Sequence, residues 1–305
     1  MTRRLDQETG VGPRVPARSA VLLGALCLSV SAILVKVAGV DSATTAMLRC
    51  AIALLVLLPL ALAERSRRGR LSAQGAAWAI AAGVGLGVDY AAWTAAIYQV
   101  GAGISSVLIN VQVIVLPLLA LVVDRERIEA RFVGVLPLML LGITLVGGVW
   151  DQGPRGAHSV SGTLLGLLAG VGYGVYLFLA RRANRWERDR MVQPLAWATA
   201  AAAATTTVIA PFTGGLQLTG IGARSWVLLA VLAVLGQVVA WLLIQYGSVE
   251  LEPSNTAALL LIQPILALAL SAVILAERPS ALQLLGAGMV IGSVALSNGV
   301  LARVR

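Results

Sequence analysis

The chain has 305 residues, of which 58% are apolar and 12% charged, with a formal net charge of +9 and a mean hydropathy of +0.88. A soluble domain carries about twice that share of charge, so the composition excludes an ordinary water-soluble fold. It also excludes a nucleic-acid binder, because the positive charge lies in short arginine clusters at the ends of apolar runs instead of on one basic face.

In chain order, the first 18 residues are polar, contain Pro13 and Pro16, and read as a disordered cytoplasmic tail. Ten apolar runs follow, at 19–39, 43–63, 76–98, 102–123, 132–150, 162–180, 193–212, 226–247, 254–276 and 281–301. Each is close to the ~20 residues that an α-helix needs to cross a hydrocarbon core. The first run is too long, and its flanks wrong, for a cleaved signal peptide. Short Gly-containing turns join the runs and leave no room for a soluble domain. The expected fold is an all-α membrane protein of ten transmembrane helices.

If the helices alternate, five regions fall on one side: the N-terminal tail, 64–70, 124–131, 181–190 and the C-terminus. Together they hold 18 of the 23 basic residues. The positive-inside rule then places both termini in the cytoplasm. The loop at 247–254 belongs on that side yet carries Glu250 and Glu252, and carboxylates weigh little in that rule. One Lys against 22 Arg fits a GC-rich bacterial genome and hence a bacterial cytoplasmic membrane.

Span 4 and its exit read NVQVIVLPLLALVVDRER (110–127), and span 9 reads LIQPILALALSAVILAER (261–278). An offset of 151 aligns Gln112 with Gln263, Glu126 with Glu277 and Arg127 with Arg278. Upstream, Gly85, Asp89 and Trp93 of span 3 match Ala233, Gln237 and Trp241 of span 8 at an offset of 148. Each triplet is small, polar and aromatic at i, i+4 and i+8, which is one helix face. Two copies of five spans enter from opposite sides, so the repeats are inverted, an arrangement that commonly builds secondary transporters with a site at the repeat interface. The expected units are 19–150 and 159–302.

The endings LLALVVDRERI and LALALSAVILAERPS, with SAILVKVAG (31–39) and TTAMLRCAIALLVLLP (44–59), resemble the drug/metabolite transporter superfamily, in particular its EamA-like ten-helix permeases. The resemblance covers about residues 19–301. Pro264 fits the family's proline early in span 9, whereas the matching position 113 is Val. It implies export of amino acids or related metabolites, driven by proton exchange or by the substrate gradient. An Asp in span 3 is not part of that pattern.

Lys36, Arg49 and Asp89 are the ionisable residues well inside the spans. At ~1.5 Å per residue they sit roughly 5, 9 and 14 Å from the outer surface. A charge at mid-bilayer costs at least about 2.5–3.5 kcal/mol and usually faces the bundle interior. Lys36 can snorkel to the interface or face the substrate. Arg49 offers a planar fork for a carboxylate or phosphate, or a structural ion pair. Asp89 has three readings: a salt bridge to Arg49, a proton-coupling carboxylate, or an acceptor for a substrate amine. Around them Tyr90, Trp93, Asn110, Gln112, Gln237, Trp241 and Gln263 complete the candidate substrate-binding or coupling set, since buried amides and phenols need partners away from lipid.

Cys27 and Cys50 read as packed thiols, and His158 is the sole histidine. No metal set, catalytic residue or cofactor is expected, and no phosphate-binding Gly-rich loop occurs. The expected partners are a small-molecule substrate and the lipid bilayer, with the chain a monomer or homodimer. An intramembrane enzyme acting on a lipid or head group, the competing class, would need clustered His, Asp or Glu at one membrane face. A receptor or structural protein would need no polar centre.

Overall fold

The computed structural model describes residues 16–125, 130–147, 156–187, 189–251 and 253–297. Among them all regular structure is helical. The helices are α1 (Ala17–Ala38), α2 (Ser42–Arg68), α3 (Ala73–Val100), α4 (Ala102–Leu108), α5 (Gln112–Asp124), α6 (Ala130–Val146) and α7 (Gly156–Trp186). They continue as α8 (Val192–Ile209), α9 (Ala223–Ala233), α10 (Ala240–Glu250), α11 (Pro253–Leu260), α12 (Ile262–Ile274) and α13 (Ala281–Ser297).

Among the described residues, seven helices are long and apolar enough to cross a membrane, counting α4–α5 and α9–α10 as single runs. The expected spans 5, 9 and 10 appear as shorter apolar helices, Ala130–Val146, Ile262–Ile274 and Ala281–Ser297. Spans 4, 8 and 9 are not continuous α-helix. Span 4 passes through a 3-10 turn at Ile109–Val111, and span 9 is interrupted at Leu261 between α11 and α12. Pro264 sits in the first turn of α12, where a missing N–H costs nothing. Span 8 contains a π-helical turn at Val234–Val239, between α9 and α10. The tail before residue 16, Glu126, Arg127, Arg155, Glu252 and the C-terminal arginines lie outside the described residues, as does the side chain of His158.

Helix ends follow local chemistry. Asp41 caps α2 by accepting from the Thr44 N–H at 2.9 Å. Ser72 caps α3 by accepting from the Gly75 N–H at 2.9 Å. Gly39, just past α1, takes the left-handed φ of +64° that ends a helix without a Cβ clash.

Helix α3 is the centre of the bundle, packed against α7 on one side and α8 on the other. Its glycines explain the closeness. A Cβ at Gly83 would lie 2.2 Å from the Ala198 carbonyl oxygen, and one at Gly85 would lie 3.0 Å from the Gly172 carbonyl oxygen. Glycines in an apolar span can break the helix or let neighbours approach. Here they let neighbours approach, and α3 runs unbroken.

The two ends of the bundle differ around span 4. Every residue of α4 is buried, whereas α5, beyond the 3-10 turn, has none buried. Helix α4 packs on α12, where a Cβ at Gly103 would meet Ser271 Oγ at 2.4 Å. Helix α5 leans on α7.

Candidate functional site

Helices α2, α3, α8 and α10 and the π turn converge on one buried polar centre. Arg49 from α2 is 1% exposed and Asp89 from α3 is 2% exposed. From α3 also come Tyr90 and Trp93, from the π turn Gln237, from α10 Trp241, and from α8 Thr199, all buried. The Arg49 guanidinium carbon lies 3.9 Å from the centre of the Tyr90 ring and 5.7 Å from that of Trp93. That is cation–π geometry, strong where water is excluded. Arg49 Nη2 reaches the Gly236 carbonyl at 3.5 Å, while its Nε and Nη1 are buried without a hydrogen-bond partner.

The neutral members form a directed chain. The Trp241 Nε1–H donates to the Tyr90 hydroxyl at 3.2 Å, Tyr90 donates to Gln237 Oε1, and Gln237 Nε2 donates to Thr199 Oγ1 at 2.9 Å. The π turn positions the Gln237 link, since its wider helical turn carries Gly236 and Gln237 toward α2 and α3. Gly236 is small for a reason: a Cβ there would lie 2.2 Å from Ser31 Oγ and 3.4 Å from Arg49 Nη2.

Arg49 and Asp89 do not form a salt bridge. No carboxylate oxygen lies within 4.0 Å of the guanidinium among the described residues, and Asp89 Oδ1 is buried without a partner. Trp93 Nε1, on the same face of α3 as Asp89, is also unpartnered. The centre therefore holds a buried guanidinium, a buried carboxyl group not ion-paired to it, and an unused indole donor.

The remaining candidate residues lie elsewhere. Lys36 Nζ donates to the Ile97 carbonyl at 3.0 Å and stands 5.7 Å from the Tyr98 ring centre, at the end of α3. Asn110 Nδ2 donates to the Ser106 and Val107 carbonyls at 3.0 and 3.2 Å, satisfying acceptors at the break after α4. Gln112 starts α5 with a buried, unpartnered Oε1. Gln263 is the second residue of α12, and its backbone carbonyl accepts from Ser29 Oγ at 3.0 Å. Cys27 and Cys50 are both free thiols. Among the described residues, no group of three or more His, Cys, Asp or Glu is placed to hold a metal.

Two aromatic residues absent from the sequence-based set adjoin the centre. Tyr176 and Tyr173 of α7 meet the Trp241 ring edge-on, with centroids 5.2 and 5.9 Å away. The signal was present as GYGVY (172–176), two tyrosines at i and i+3 among glycines inside an apolar span. Thr199, the end of the hydrogen-bond chain, sits in an Ala/Thr run that gives no such signal.

A chain whose described residues form only helices, several of them apolar and of membrane-spanning length around a polar, solvent-excluded centre, is built as a multi-pass membrane protein. The model of the EamA-like transporter family matches it twice, at residues 17–148 and 160–299, and the chain belongs to that family. No curated protein matches it. Among the solved structures, 27 chains match. One, described only as a crystal structure of a protein, is 18% identical, covers 95% of this chain and 98% of its own, and superposes with a TM-score of 0.62. At that identity the likeness speaks for the fold alone.

Proposed function

We propose that the chain is a secondary transporter of a small polar organic metabolite, such as an amino acid or related compound. It works by alternating access between two inverted five-helix repeats, residues 19–150 and 159–302, behind a cytoplasmic tail of 18 residues. Both termini face the cytoplasm of a bacterial cell. The observation that carries this reading is that Arg49 and Asp89 are both almost fully buried and neither is ion-paired. Burying a charge without a partner is costly, and the cost is met when the partner is a molecule or proton that comes and goes. Arg49 anchors the acidic group of the substrate, and Asp89 carries the coupling proton.

Several observations support the repeat. The break at Ile109–Val111 and the break at Leu261 coincide at the offset of 151 that aligns spans 4 and 9. The described non-glycine residues with positive φ, Arg125 and Ala276, are separated by the same 151. The test is uptake into proteoliposomes with a panel of zwitterionic and anionic metabolites, with and without a pH gradient. Accumulation of at least one compound that rises with the gradient supports the reading. Absence of accumulation for the whole panel, with the protein folded by circular dichroism and gel filtration, overturns it.

A further inference from the structure

One end of the bundle is fastened by a carboxylate that the central site does not use. After α12 the chain turns through Ala276, whose φ is +52°, and the Glu277 N–H donates to the Ser271 carbonyl at 3.2 Å. The turn lays the Glu277 carboxylate against the first turn of α4. Oε1 accepts from the Ala102 N–H at 2.8 Å and Oε2 from the Gly103 N–H at 3.2 Å. Gly101 completes the cradle. Its φ is +97°, and a Cβ there would lie 2.8 Å from the carboxylate atoms. One step further in, Gly103 packs on Ser271, and the whole of α4 is buried behind this contact.

We propose that Glu277 is the latch of this end of the transporter: it holds α12 to α4 while the end is closed and releases the Ala102 and Gly103 amides when it opens. The inference rests on the alternating-access reading above. Three features mark a releasable contact rather than a fixed cap. The carboxylate and the amides belong to different copies of the family repeat, so motion between the copies must act on the bond. No Lys or Arg is ion-paired to Glu277 among the described residues. The contact is only part-buried, so water can replace both amides as it opens.

The test needs no substrate, so its failure is distinguishable from failure of the transport reading. In a Cys27→Ala, Cys50→Ala background, Ser106→Cys places a thiol one turn below the latch, at a position 3% exposed. Its rate of reaction with a membrane-impermeant maleimide is measured in intact cells and in inverted vesicles. Glu277→Gln, which keeps the shape but loses one acceptor and the charge, should raise that rate about tenfold from one side of the membrane only. Gly101→Ala, which crowds the carboxylate from below, should do the same. A rate unchanged by Glu277→Gln, or raised equally from both sides, overturns the latch.

Discussion

The Arg49 guanidinium lies 3.9 Å over the Tyr90 ring and, among the described residues, has no carboxylate within ion-pair distance, although Asp89 is the residue next to Tyr90 in α3. The aromatic face holds the cation in place without neutralising it. A stacked, planar guanidinium is not replaced by a lysine ammonium. Arg49→Lys is therefore expected to keep the positive charge and the fold yet raise the KM for the acidic substrate at least tenfold. Transport kinetics and a melting curve on the same preparation check this. An unchanged KM would show that the guanidinium is not the anchor.

Tyr90 is tied at its hydroxyl as well as its ring. Removing that oxygen leaves both the Trp241 indole N–H and Gln237 Oε1 without partners in a buried place. Tyr90→Phe should cost about 1–3 kcal/mol, read as a lower melting temperature in detergent. Stability equal to the parent would mean that water or relaxation satisfies both groups.

The glycine contacts of α3 make a steric prediction. Gly83→Ala drives a Cβ to 2.2 Å from the Ala198 carbonyl oxygen, backbone that cannot rotate away. It should destabilise by about 1–3 kcal/mol. Gly134→Ala in α6 meets nothing within 4 Å and should leave the melting temperature level or slightly raised, as alanine favours helix. Equal effects at the two sites would contradict the packing described for α3.

Outside the spans, Glu187 joins the segment after α7 to the start of α3. It is 3% exposed, accepts from the Ser72 N–H at 2.7 Å and pairs with Arg190. Burial works to raise its carboxyl, but the Ser72 hydrogen bonds and the Arg190 guanidinium outweigh it and hold it below its ordinary value of 4.5. A depressed folded value means stability that is present above the ordinary value and is lost as pH falls through the folded one. Melting temperature should thus fall between about pH 5 and pH 3, and Glu187→Gln should flatten that fall while lowering stability at pH 7. A slope identical in the variant would remove Glu187 from the account.

What the sequence could show follows from contrast. Arg49, Asp89, Gln237 and Trp241 stand out because a polar or ionisable group in an apolar run must find company, and the structure brings these four to one centre with Tyr90. Whether Arg49 meets Asp89 or Tyr90 is decided by a few ångströms of helix rotation, which no spacing rule encodes. The interruption after α4 has no proline or glycine within it to announce it, and Pro117 lies inside the continuous α5 instead. The π turn that positions Gln237 is equally silent, apart from Gly236. The Lys36 and Asn110 donors meet backbone carbonyls, a role that depth in the span alone does not separate from substrate binding.

The central claim is that the unpaired carboxylate at the centre carries the proton. Asp89→Asn in proteoliposomes tests it directly, with the substrate identified by the uptake panel. Exchange of labelled for unlabelled substrate should persist, because Arg49 and the aromatic surround remain, while accumulation driven by a pH gradient should disappear. Gradient-driven accumulation equal to that of the parent protein would contradict the account.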